Sequence, residues 1–240
     1  MRHLALFSLL LALTGCSLSP SADPMGDDIA EADATVRGET PTYWLSWWDS
    51  TVEFFGRIGG PEPAEMADKL VSDKPDERLE AINYLASYDW GRQPPYTDRY
   101  DQIARGDPSP LVRAVAVRAL NRSRAASPEG TVRGMLNDPS ELVRLEAAKA
   151  LSNTYDPQAS EKLRAMLTAA GETRDVRIAV ADALRHDRTP EGYRTLVGVL
   201  GDRDFAVAWT ARRSLRRMTG QDFRWSEADW AKWLANNSLS

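Results

Sequence analysis

Four valines, Val112, Val143, Val176 and Val207, recur at intervals of 31, 33 and 31 residues, each at the same place in a common pattern. The copies occupy residues 107–120, 138–151, 175–184 and 204–215, and a weaker copy at 76–85 precedes them. A fixed period of this size marks a stacked repeat. Each unit is too small to bury its apolar face alone and buries it against its neighbours instead.

Most copies read Val-Arg-x-x-Ala-x-x-Ala-Leu, which places Val112, Ala116, Ala119 and Leu120 at i, i+4, i+7 and i+8 on one helical face. Alanine at two of these positions lets a neighbouring helix come close. Each copy is therefore predicted to be the inner helix of a pair. The partner helices are expected to start near Pro128, Asp156 and Pro190, with Leu136, Leu163, Met166, Leu196 and Leu200 as apolar markers. Asp-Pro-Ser at 107 and 138 combines capping acceptors with a proline suited to a first helical turn.

The Asp-Pro, Val-Arg, Ala and Leu pattern resembles HEAT repeats, in the short form also found in phycobilin-lyase-type proteins. The resemblance covers residues 63–218 and is strongest over 107–217. It implies an all-α, right-handed solenoid of about five helix pairs, with the second helix of each pair lining the concave side. It does not imply one activity, because a fold hosts many functions. Residues 219–240 depart from the pattern and are expected to form a capping helix. Ser226 is the predicted N-cap, with Asp229 three residues on and Trp225 and Trp230 as a hydrophobic staple.

Residues 1–15 have a cationic start, an apolar run over 4–13 and a small-residue end, the order of a secretory signal. The run is too short for a spanning helix. Leu13-Thr14-Gly15-Cys16 resembles the bacterial lipobox, which implies acylation of Cys16, cleavage before it and anchoring through the acyl chains. Cys16 is the sole cysteine, so neither an intrachain disulfide nor a cysteine metal cluster can form. Ser17 follows it, which by the enterobacterial sorting rule implies the outer membrane, facing the periplasm. Residues 16–42 are polar and acidic, with scattered proline and glycine, and read as a tether. Its mean reach is about 25–30 Å. Residues 43–62 carry Trp44, Trp47, Trp48, Phe54 and Phe55 and read as an amino-terminal cap.

Two sets of repeat positions are candidates for function. Arg113, Arg144 and Arg177 recur at one position and are expected to form a structural ladder with Asp107, Asp138, Asp175 or Asp202 of the same or a neighbouring repeat. Glu80, Asn83, Arg118, Glu146, Lys149, Asp182 and Arg213 vary between copies at positions expected on the concave side, as a surface that reads a partner would. The cluster of Tyr84, Tyr88, Trp90, Pro94, Pro95, Tyr96 and Tyr100 is assigned to packing of an irregular loop.

A net charge of −5 gives the chain no cationic bias for nucleic acid. Besides His3, His186 is the only histidine, and it is placed near an inner helix end in a structural role. No catalytic triad, metal-ligand spacing or phosphate loop is recognisable, and no cofactor is implied. The expected function is a non-catalytic, lipid-anchored envelope scaffold for a protein partner, with its oligomeric state open. A phycobilin-lyase-like enzyme and a structural protein that binds envelope polymer are the alternatives.

Overall fold

A computed structural model describes residues 62–123 and 130–237. The expectations for Cys16, the signal, the tether and the tryptophan-rich stretch lie outside the described residues.

Among the described residues eleven α-helices follow one another, and there is no strand. They form five pairs: α1 (Pro63–Lys69) with α2 (Pro75–Leu85), α3 (Tyr96–Gly106) with α4 (Pro110–Ser123), α5 (Thr131–Met135) with α6 (Glu141–Asn153), α7 (Ser160–Thr168) with α8 (Arg174–Ala183), and α9 (Pro190–Val197) with α10 (Phe205–Thr219). A last helix, α11 (Glu227–Asn236), packs against α9. The inner helices α2, α4, α6, α8 and α10 stack in succession. This is the predicted helical solenoid of HEAT type.

The repeat residues form its core. Val112, Val143, Val176 and Val207 are buried, as are Leu85, Leu120, Leu151, Leu184 and Leu215. Four residues beyond each valine stand Ala116, Ala147, Val180 and Ala211, all fully enclosed. Three of the four are alanine, and a methyl is about all that fits where neighbouring inner helices meet.

One region differs from the expectation. Tyr96 and Tyr100, read as part of an irregular loop, lie on α3, the outer helix of the second pair. Tyr100 is fully buried and donates to the Gly91 carbonyl at 3.0 Å. The polar residues between these aromatics hid a helix whose apolar face is tyrosine and isoleucine rather than leucine.

The arginine ladder clamps successive inner helices together. Arg78 donates to Asp107 at 2.6 and 2.8 Å, Arg113 to Asp138 at 2.8 Å twice, and Arg144 to Glu172 at 3.0 and 2.8 Å. Arg177 binds Asp202 in the same two-pronged way. Each carboxylate also accepts a backbone N–H of its own turn, from Ser109, Ser140, Thr173 and Asp204 respectively. One side chain thus shapes the entry to an inner helix and fastens it to the helix before. Of the acceptors in Asp-Pro-Ser the Asp does this work, while Ser140 makes no side-chain cap bond.

Two ladder assignments are corrected. Arg144 pairs with Glu172 rather than with an Asp, because in that copy the acid stands four residues before the valine instead of five, and glutamate is longer by one methylene. Asp175, one residue before its valine, is too close to the helix start to reach back and is exposed beside Arg174. The ladder also extends to Arg78 in the weak copy, where Glu77 replaces the valine.

Burial works against ionisation of Asp138 and Glu172, but the arginines and turn N–H groups outweigh it and hold both carboxyls below their ordinary values. Asp202 is lowered chiefly by its bond from Arg177. A depressed folded-state pKa contributes stability that is complete above the ordinary values, 3.8 for Asp and 4.5 for Glu, and fades as pH falls through the folded ones. Chemical denaturation should therefore show stability falling as pH drops below about 4.5. In the same assay at neutral pH, Asp107→Ala should cost about 3–5 kcal/mol, because it strands the buried Arg78. Arg174→Ala, which breaks an exposed pair, should cost at most about 1 kcal/mol.

Candidate partner-binding face

The variable positions of the inner helices gather into two charged clusters. In the first, Glu146 on α6 accepts from Arg118 of α4 at 3.0 and 3.2 Å and from Lys149 at 3.1 Å. Glu146 is only 5% exposed, whereas the Arg118 and Lys149 side chains are 45% and 49% exposed. Glu146 was expected to read a partner directly. Instead it is shielded, and it holds two cationic heads at the surface.

In the second cluster, Asp182 on α8 accepts from Ser152 of α6 at 3.0 Å and from Arg213 of α10 at 3.0 Å. Arg185 binds the same carboxylate, and Arg217 lies 3.5 Å from it. Glu80 stands apart, 3.5 Å from Lys69, and Asn83 is exposed on α2. The predicted row is thus divided, with its cationic members toward the middle and the carboxyl end of the stack.

Both central carboxyls are held below their ordinary values. Burial pushes Glu146 up, but hydrogen bonds from Arg118 and Lys149 outweigh it. Burial likewise opposes ionisation of Asp182, and the bonds from Ser152 and Arg185 prevail. A buried anion between flexible cations limits their side-chain freedom, so less ordering entropy is lost when they meet a partner.

Sequence reasoning missed several members of this surface. Arg185, Arg216 and Arg217 were not singled out, although Arg-Arg-x-x-Arg-Arg at 212–217 on a helix was a visible signal. The exposure of Phe205 and Trp209 was missed because a helical pattern does not show which copy lacks a neighbour. His186 contacts a helix carboxyl end as expected, though of the preceding repeat. Its Nε2 lies 3.0 Å from the Ser152 carbonyl near the end of α6.

Ser226 caps α11, accepting from the Asp229 N–H at 3.2 Å. The staple is corrected. Trp230 packs edge-on against Phe223 at 4.9 Å, while Trp225 turns away toward Phe205 and Trp209 on α10. Among the described residues, no group of three or more histidine, cysteine, aspartate or glutamate side chains is placed to hold a metal ion. No described helix is long and apolar enough to cross a membrane.

Residues 101–174, from the middle of α3 to the start of α8, match the family model for HEAT repeats. The chain carries HEAT repeats. No curated protein matches the chain. HEAT repeats typically serve as non-catalytic scaffolds for protein interaction. In this HEAT-repeat protein the clusters around Glu146 and Asp182 are surfaces fixed by stacking, since each is assembled from successive inner helices.

A carboxyl NMR titration of the folded protein should place the Glu146 midpoint below 4.5, with ionisation retained as the solvent-facing glutamates protonate. Lys149→Ala removes one of its two donors and should move that midpoint upward.

Proposed function

We propose that the protein is a non-catalytic, lipid-anchored scaffold of the bacterial cell envelope that binds a protein partner through the exposed side chains of its inner helices. The observation that carries this reading is the pair of half-exposed cations, Arg118 and Lys149, held by the buried Glu146 across two successive inner helices. The Glu146 carboxylate is buried, while the heads of the two cations stay half exposed. The arrangement presents a fixed cationic pattern to a partner surface bearing carboxylates.

The anchoring half of the proposal rests on Leu13-Thr14-Gly15-Cys16 at the end of an apolar run and on Cys16 being the sole cysteine. With acyl chains on Cys16 and the sequence of residues 17–42 behind it, the repeats would work near a membrane surface, and Ser17 favours the outer membrane.

Crosslinking of the native protein in envelope fractions, followed by mass spectrometry, tests both halves. A single protein partner should be recovered from the membrane fraction, lost in the Arg118→Ala/Lys149→Ala variant and displaced to the soluble fraction with Cys16→Ala. Recovery of no partner above the unanchored control, from a protein whose circular dichroism is unchanged, would remove the scaffold reading.

A further inference from the structure

In the stacked inner helices, the residues two before the repeat valine and two, five and nine after it form a stripe facing the next repeat. Three contacts establish its direction. Arg174 of α8 donates to Asp204, which caps α10, at 2.7 Å; the Ala181 carbonyl of α8 accepts from Ser214 of α10 at 2.7 Å; and Ser152 of α6 donates to Asp182 of α8 at 3.0 Å. In α10 the same stripe is Phe205, Trp209, Arg212 and Arg216. No further inner helix follows among the described residues, and α11 packs against α9. Among the described residues, the loop between α10 and α11 reaches the stripe, through Trp225 and Asp222.

The end face is built unlike the interfaces it continues. Where α4 has Ala114 and Val117, α10 has Trp209 and Arg212. Phe205 is 68% exposed, Trp209 43% and Trp225 40%, with ring centroids 5.6 to 6.3 Å apart. The Arg212 guanidinium lies over both tryptophans, 5.5 and 5.1 Å from their centroids, and is fixed by Asp222 at 2.9 and 2.6 Å. Arg213 and Arg216 line a cavity with Trp209, and Arg217 stands beside those two arginines. With Arg185, five arginines share two carboxylates, Asp182 and Asp222. The Arg213 Nε is enclosed and has no hydrogen-bond acceptor.

We propose that this face binds an acidic amphipathic helix of a partner protein, laid where a sixth inner helix would lie. Helix is the form that covers the corresponding stripe of the earlier inner helices. Its apolar side would rest on Phe205, Trp209 and Trp225, and its carboxylates would meet Arg213, Arg216 and Arg217, whose planar forks bind carboxylates in pairs. Tryptophan and arginine together are the composition of interface hot spots. This surface shares Arg213 and Arg217 with the Asp182 cluster but lies apart from the Arg118 and Lys149 pair that carries the proposed function, so Lys149→Ala distinguishes failure of one reading from failure of the other.

The test uses the full chain carrying Cys16→Ala and a fluorescein-labelled 20-residue synthetic helix with a leucine stripe flanked by glutamates, read by fluorescence anisotropy. Binding at least tenfold tighter than that of the Glu→Gln peptide, and weakened at least tenfold by Trp209→Ala and by Arg216→Glu but not by Lys149→Ala, is expected. Equal binding of both peptides, no saturable binding, or indifference to the two α10 variants would overturn the proposal. So would phosphatidylglycerol vesicles, or a second copy of the chain detected by sedimentation, occupying the face in the peptide's stead and being lost in the same variants. Unchanged circular dichroism in each variant separates loss of the surface from loss of the fold.

Discussion

A helix pair of some thirty residues has too little interior to stand alone, and the inner helices here bury their apolar sides against their neighbours in the stack. Apolar packing supplies the attraction but does not fix how far one pair slides or turns against another, because alanine surfaces are smooth. The two-pronged arginine bonds supply that registry. Asp107, Asp138, Glu172 and Asp202 each accept both from a turn N–H and from the arginine of the preceding inner helix. The conformation of a turn and the docking of two repeats thereby become one event. A second set of bonds, Arg133 to Asp156 and Arg164 to Asp187, ties the outer layer in the same direction.

The candidate binding face depends on this registry. Arg118 reaches Glu146, and Arg213 reaches Asp182, only because α4, α6, α8 and α10 stand in a fixed order and offset. The charges that varied between copies in the sequence proved to be complementary across copies. Each buried carboxylate is matched by cations from its own and the adjacent repeat. Their variation in these two clusters is thus pairwise, and Arg118, Lys149, Arg213 and Arg217 are the more exposed partners.

The sequence revealed the stacking well because periodicity is a local signal. Valine, alanine and leucine at helical spacing identified the buried side of four inner helices, and Arg113, Arg144 and Arg177 identified the ladder. It revealed less where distance in space replaces distance along the chain. The Glu172 acceptor was obscured by a one-residue shift that a longer side chain absorbs, α3 by an apolar face built from tyrosine, and the burial of Glu146 by neighbours 28 residues away and three residues away at once. Trp225 was assigned to its own helix because stapling is a local rule, but a larger aromatic surface on α10 attracts it.

The carboxyl end shows the ladder being converted into something else. At the ladder position α10 has Ala208, fully packed, and among the described residues no further inner helix follows to which an arginine there could reach. The clamp instead reappears one helical turn later, as Arg212. It donates twice to Asp222, and Asp222 accepts the Arg224 N–H two residues on, as Asp107 and Asp138 accept from their own turns. The arginine and turn N–H hold the Asp222 carboxyl down at about 2, with burial opposing them. The same chemistry that fastens helix to helix in the interior here fastens a loop, begun by Gly220 in the left-handed region at φ 74°, back onto the last inner helix. Moving the arginine by one turn carries it from the ladder position to the forward stripe, beside Trp209. The clamp on α10 is therefore closed while aromatic and cationic side chains stand where α4, α6 and α8 have Ala114 and Val117, Leu145 and Ala148, and Ile178 and Ala181.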